Sequence, residues 1–245
     1  MENRLTVLYL EGFSPGPGLP SPLLTQCGFR VLKPRMPYEC FDILANPYVY
    51  FLALTGITTV WILSLIADSA DVAEGPEWVH VVLVVVAGLL ACWRLKREAV
   101  GYTLDKCVNV FAKEAAERSP DLVIGYSWGG GVACGLLNRG LWAGPTLLLA
   151  PAGDQMWSHA GRALPSLRPA DIPPGAAVLT VQGTADVVVS HLEAQRLHEG
   201  ADPRQCRLLV ANSEDHFLRY TVAPAALTAW AQELIKKHRD ATNQR

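Results

Sequence analysis

Apolar residues fall in short runs that alternate with longer mixed segments along most of the chain. Six runs have the length and composition of buried strands: residues 5–10, 29–32, 121–126, 145–151, 176–182 and 207–211. Segments of helical character separate most of them, whereas residues 152–175 are a connector rich in Gly and Pro. Strands that alternate with helices predict an α/β fold, a mostly parallel six-stranded sheet with helices on both faces.

A different pattern interrupts this alternation between residues 47 and 93. Residues 47–67 carry no charge and, as a helix, would span about 31 Å, the thickness of a bilayer core. Residues 79–93 are also uncharged but would reach only about 22 Å. A helix that enters the bilayer without crossing it therefore remains an alternative to a full span. Both runs are apolar all round, which favours lipid contact over a buried core pair.

We therefore expect a transmembrane helical hairpin at 47–93, inserted into a discontinuous domain formed by residues 1–46 and 94–245. Basic residues flank the hairpin on both sides: Lys33 and Arg35 precede it, and Arg94, Lys96 and Arg97 follow it. The connector at 68–77 has no Lys or Arg. By the positive-inside rule, a two-pass membrane protein with both outer segments on the cytosolic face is predicted.

Composition limits the classes of partner. Half of the 245 residues are hydrophobic and 18% are charged, below the usual quarter, so membrane lipids are an expected partner. The net charge of −2 and the lack of a basic stripe exclude a nucleic-acid-binding protein. Six cysteines without Cys-x-x-Cys spacing predict reduced thiols, and no motif indicates a cofactor or a metal.

One motif is typical of a nucleophile. Gly125-Tyr-Ser-Trp-Gly129 stands between a predicted strand and a predicted helix. A serine on such a sharp turn has its hydroxyl exposed above the sheet edge, and the flanking glycines let the backbone close. A glycine-rich packing turn is the alternative interpretation. Ser127 is the candidate nucleophile.

Two further residues at strand ends complete a catalytic set. A serine hydroxyl needs an imidazole to take its proton and a carboxylate to orient that imidazole. His216 follows the last predicted strand, and Asp186 follows the strand before it. Asp215 is adjacent to His216, which usually points the two side chains apart. Three carboxylates remain weaker alternatives to Asp186: Asp154, Asp202 and Asp215.

These three motifs, in the order Ser, Asp, His, resemble the α/β-hydrolase superfamily. The resemblance covers residues 1–46 and 94–245, in a compact form without the family's first two strands. It implies Ser127 as nucleophile, His216 as general base and Asp186 as the orienting carboxylate.

The resemblance also implies an oxyanion hole. Residues 8–13 stand where the family commonly has His-Gly followed by the oxyanion residue, so the backbone N–H groups of Phe13 and Trp128 would be the two donors. Glu11 replaces the family's His and could bring a negative charge near the oxyanion.

Two functions are therefore open. The first is a membrane-anchored serine hydrolase that cleaves an ester or thioester of a lipid or an acylated protein. The second is a catalytically inactive, hydrolase-like structural subunit of a membrane protein complex, with the triad as a relic.

Overall fold

A parallel sheet of six strands lies at the centre of the molecule. The computed structural model describes residues 4–12, 21–35, 47–69 and 77–244. The strands are β1 (Thr6–Leu10), β2 (Arg30–Leu32), β3 (Leu122–Tyr126), β4 (Pro145–Leu149), β5 (Ala177–Gly183) and β6 (Cys206–Ala211). Their order is β2-β1-β3-β4-β5-β6, and every neighbouring pair is parallel. The predicted α/β fold and six-stranded parallel sheet are confirmed.

Helices cover both faces of this sheet. They are α1 (Ser21–Gln26), α2 (Pro47–Ser69), α3 (Glu77–Arg118), α4 (Trp128–Asn138), α5 (Gly153–His159), α6 (His191–Leu197) and α7 (Pro224–Asn243). On one face the core includes Phe111 of α3 and Leu136 of α4. On the other it includes Leu24 of α1 and Leu234 of α7. Each strand therefore has apolar side chains on both sides, which explains its continuous apolar sequence.

One predicted boundary is absent. The predicted hairpin at 47–93 implies an apolar helix that ends near Trp93, but α3 is continuous over 42 residues, about 63 Å. Residues 94–100 contain no Gly or Pro and several strong helix formers. Nothing in this segment ends a helix, so α3 crosses the predicted domain boundary.

The apolar helices differ from the prediction in number. In the described ranges one segment, Tyr48–Leu65 of α2, is long and apolar enough to cross a membrane, with a mean hydropathy of 1.7. The second predicted span is the first half of α3, which packs against α2. A Cβ on Gly88 would lie 2.8 Å from Thr59 Cγ2, so the two helices are in close contact there. Residues 70–76 of the predicted acidic connector lie outside the described residues.

The connector at 152–175 contains a helix that its composition did not predict. In α5, Trp157 is buried and its Nε1 donates a hydrogen bond to the carbonyl of Gly131 (3.1 Å). Packing on α4 therefore overrides a local sequence with weak helical propensity.

Candidate active site

Ser127 lies on a strained turn between β3 and α4. Its φ is 52° and its ψ is −118°, a backbone conformation that residues other than glycine rarely adopt. Four backbone hydrogen bonds hold it: its N–H donates to the carbonyl of Leu149 (2.9 Å), and its carbonyl accepts the N–H groups of Gly130 and Ala152 (both 2.9 Å) and of Gly131 (3.2 Å). Strain that persists under such restraint is common at functional sites.

Glycines allow the close approach that this turn requires. A Cβ on Gly125 would lie 2.7 Å from the carbonyl oxygen of Gly129, and a Cβ on Gly129 would lie 2.1 Å from that of Leu10. A Cβ on Gly12 would lie 2.9 Å from the Cβ of Ser127. The start of α4 therefore packs against the end of β1, and Gly12 lies beside the serine.

The three predicted triad residues meet at the carboxyl edge of the sheet. His216 Nε2 is 3.0 Å from Ser127 Oγ, and His216 Nδ1 is 2.8 Å from Asp186 Oδ2. They follow β3, β6 and β5, and their neighbourhood in space comes from the parallel topology. His216 is 8% exposed and Asp186 is 7% exposed, so these hydrogen bonds lie largely out of water.

Asp186 is the carboxylate that the structure places at the imidazole. The three alternatives are engaged elsewhere: Asp154 with Arg196, Asp202 with Arg204, and Asp215 with the backbone N–H of Phe217. None of these contacts involves His216.

Hydrogen bonds keep Asp186 ionised. Its Oδ1 accepts the backbone N–H groups of Val188 and Val189 (both 2.8 Å). Burial raises the pKa of Asp186, but the hydrogen bonds from His216 and from these two N–H groups outweigh that effect and hold it below its ordinary value. An ionised carboxylate at this position can orient the imidazole and stabilise its protonated form.

Comparisons with known proteins agree with this architecture. A Thermus thermophilus protein, TT1662, is 17% identical, with a TM-score of 0.52 over 95% of this chain and 90% of that one. A candidate α/β hydrolase of unknown function from Agrobacterium tumefaciens is 12% identical, with a TM-score of 0.48 over 97% and 86% of the two chains. The six-stranded parallel sheet with helices on both faces matches the α/β-hydrolase fold. No protein-family model and no curated protein sequence matches it.

An esterase domain of a Rhodothermus marinus protein also resembles this chain, at 16% identity. That match has a TM-score of 0.38 and covers 52% of this chain and 67% of that one. At 17% identity the similarity to TT1662 shows a shared fold alone, and the chemistry has to be inferred from the site.

The oxyanion side of the site is described in part. Trp128 is the first residue of α4, so its backbone N–H lies at the positive end of the helix dipole, beside Ser127. Phe13, the other predicted donor, lies outside the described residues. Glu11 forms an ion pair with Lys33, 2.5 Å between Oε2 and Nζ. The Lys33 ammonium therefore offsets the negative charge of Glu11, which was expected near the oxyanion.

Two residues of the site had no role in the sequence analysis. The hydroxyl of Tyr126 donates to the backbone carbonyl of His216 (3.3 Å), and burial raises the pKa of Tyr126 to about 12. Gln182 Nε2 donates to Asp186 Oδ2 (2.9 Å). The available signal for Gln182 is an amide side chain in a strand that is otherwise apolar except for Thr180.

No metal site is evident in the described part of the chain, where no group of three or more His, Cys, Asp or Glu side chains is arranged to hold an ion. The cysteines described are free thiols: Cys27, Cys92, Cys107, Cys134 and Cys206. Burial raises the pKa of Cys134 and that of Cys206 to about 12, so both thiols are protonated and unreactive.

Proposed function

We propose that this chain is a serine hydrolase that cleaves a carboxylic ester or thioester through Ser127, His216 and Asp186. The observation that carries the proposal is the continuous hydrogen-bonded series from Ser127 Oγ through the imidazole to Asp186 Oδ2. Nucleophile, base and orienting group each lie within hydrogen-bond distance of the next, which is the geometry that activates a serine.

The reaction follows from these contacts. Ser127 Oγ attacks the acyl carbon while His216 Nε2 takes its proton, and Asp186 stabilises the imidazolium that forms. The backbone N–H groups of Trp128 and Phe13 are the proposed donors to the oxyanion. The attack gives a tetrahedral intermediate. Its collapse breaks the bond to the alcohol or thiol, which leaves with the proton from His216. Water then attacks the acyl-enzyme by the same route and releases the acid.

A substrate whose acyl chain is embedded in a bilayer would suit the position of the apolar helices, α2 and the first half of α3. Arg118 of α3 leads into the amino end of β3, so α3 runs antiparallel to the strands. A five-residue strand is about 17 Å long, and the last fifteen residues of α3 cover about 22 Å. Residues before about Leu104 therefore extend past the carboxyl edge, where the triad lies.

This direction supports a membrane-anchored enzyme. We propose that α2 and the first half of α3 form a two-pass hairpin, with the hydrolase domain on the cytosolic face and its active site towards the bilayer. Lipids or acylated proteins on that leaflet would then be the substrates.

An inactive structural subunit of a membrane complex is the second candidate. The observation that favours it is Glu11 in place of the family's His. Its ion pair with Lys33 weakens this objection to catalysis. The two functions differ in whether Ser127 is activated.

Labelling with a fluorophosphonate probe separates them, because only an activated serine reacts quickly. Ser127→Ala should abolish labelling and lower kcat on a short p-nitrophenyl ester by several orders of magnitude. Ser158→Ala, at an exposed position on α5, is the matched control and should label normally. Unchanged labelling of Ser127→Ala would refute the nucleophile, and an unlabelled, folded wild type would favour the structural subunit.

A further inference from the structure

Gln182 is an unusual residue for its position. It lies near the end of β5 and is 0% exposed. Its Oε1 is buried without a hydrogen-bond partner, and an unsatisfied buried acceptor costs roughly 1–3 kcal/mol. An apolar residue of similar volume would avoid this cost. A buried polar atom left in this condition needs an explanation, and a catalytic role is one of the recognised ones.

The other half of the amide is fully used. Nε2 lies 2.9 Å from Asp186 Oδ2, 3.0 Å from the carbonyl oxygen of Val189 and 3.5 Å from that of Gly183. All three atoms are acceptors, so they fix the orientation of the amide. A rotated amide would place Oε1 against three oxygens. The orphaned Oε1 is therefore the consequence of directing the nitrogen at Asp186.

The hydrogen bond from Gln182 falls on the oxygen that His216 uses. Asp186 Oδ2 accepts from both Gln182 Nε2 and His216 Nδ1, whereas Oδ1 accepts from the backbone of Val188 and Val189. These four donors lock the carboxylate plane. Without Gln182, Oδ2 would be held by the imidazole alone, the group that it has to orient.

We propose that Gln182 is a positioning residue of the triad, which rests on the function proposed above. Its amide fixes Asp186 Oδ2 opposite His216. The same nitrogen also hydrogen-bonds the carbonyl of Val189. Catalytic groups must be held close to their productive orientation, and a small misplacement can cost up to about 10²-fold in rate.

The test compares two buried polar residues of β5. Gln182→Met keeps the length of the side chain and removes the donor. Thr180→Val is the matched control, because Thr180 is two residues earlier on the same side of the strand, is equally buried, and bonds His198 instead of Asp186 (2.8 Å).

Gln182→Met should lower kcat and the rate of fluorophosphonate labelling by about tenfold or more with little change in KM. Thr180→Val should leave kcat unchanged. Equal losses of activity and thermal stability in Gln182→Met and Thr180→Val would indicate a structural role and overturn the proposal.

A second readout does not depend on activity. The low-field proton NMR resonance of His216 Nδ1–H reports the hydrogen bond to Asp186. It should shift or broaden in Gln182→Met and stay unchanged in Thr180→Val. An unchanged resonance in Gln182→Met would refute the positioning role. If the wild type itself does not react with the probe, the proposed hydrolase function fails, and this resonance decides the role of Gln182 separately.

Discussion

The two halves of α3 belong to one unbroken helix but meet different surroundings. In the second half, Leu104, Val108 and Phe111 are completely buried against the sheet. In the first half, Leu83 is 60% exposed and Leu89 is 65% exposed. Helix formation alone therefore does not explain the apolar sequence of the first half. Exposed apolar area costs about 25 cal/mol per Å² in water, so such a surface favours an apolar medium or partner.

Polar groups follow the same division. In α2 the hydroxyls of Thr55, Thr59 and Ser64 donate to backbone carbonyls three or four residues earlier, so these polar groups are satisfied within their own helix. At the catalytic edge the hydrogen bonds join residues 89 and 30 positions apart. Single changes should therefore have small effects in the apolar region and large effects at the edge.

The largest expected effect is that of Asp186→Asn. The fold should persist, because Asn can still accept the N–H groups of Val188 and Val189. Its amide nitrogen, however, would face His216 Nδ1 and force the wrong tautomer, lowering kcat by about 10⁴. Asp215→Asn is the control and should remain active. A nearly normal rate in Asp186→Asn, with Asp215→Asn inactive, would reassign the carboxylate.

The sequence was sufficient to predict the sheet and the candidate triad. Each strand is a short apolar run ended by Gly, Pro or polar residues, so its position can be identified without tertiary information. Ser127, Asp186 and His216 each follow such a run, and parallel topology brings strand ends together.

Other features depend on tertiary contacts that local sequence does not encode. Helix α5 forms because Trp157 packs on α4, and the role of Gln182 depends on where β5 places its amide. The continuity of α3 was missed for a different reason. The change in hydrophobicity near Trp93 predicts a boundary, whereas the backbone responds to helix propensity, which does not change there.

A second prediction compares the two halves of α3 directly. Phe111→Ala should destabilise the protein by about 3–5 kcal/mol, because it removes a fully buried ring and leaves a cavity. Leu89→Ala should cost less than about 0.5 kcal/mol, since its side chain is largely exposed. Urea unfolding in mild detergent measures both. Equal losses would mean that the first half of α3 is also part of a protein core.

A third prediction concerns acid stability of the hydrolase domain. Burial lowers the pKa of His198 from 6.5 to about 4. Between these values the unfolded chain binds a proton that the folded chain does not, so stability falls as pH decreases through this window, by at most about 3 kcal/mol.

Urea unfolding at pH 7 and pH 4 measures this loss. His198→Gln can still hydrogen-bond Thr180 but cannot be protonated, so its stability should depend less on pH. Asp186 has a pKa held below its ordinary value, so the stability that it contributes is lost mostly below pH 4, outside this range, in the wild type and in His198→Gln alike. A pH dependence identical to that of the wild type would show that His198 does not contribute.

The smallest effect on the triad itself is expected when the apolar region is removed. Replacing residues 47–93 with a Gly/Ser linker leaves the triad intact, because its residues follow β3, β5 and β6. Turnover of a soluble short-chain ester should therefore be unchanged. Turnover of long-chain substrates in vesicles should fall by on the order of 10²-fold, the lower end of the gain that tethering provides.

The same linker variant carrying Ser127→Ala gives the background rate in each assay. If both activities fell together, the helices would be a structural part of the hydrolase domain, and the exposed first half of α3 would need a protein partner. If neither fell, the active site would not depend on the membrane for its substrate. A loss confined to vesicles would mean that the exposed half of α3 gives the enzyme access to substrates in the membrane. Its buried half would then serve to support the sheet that carries the triad.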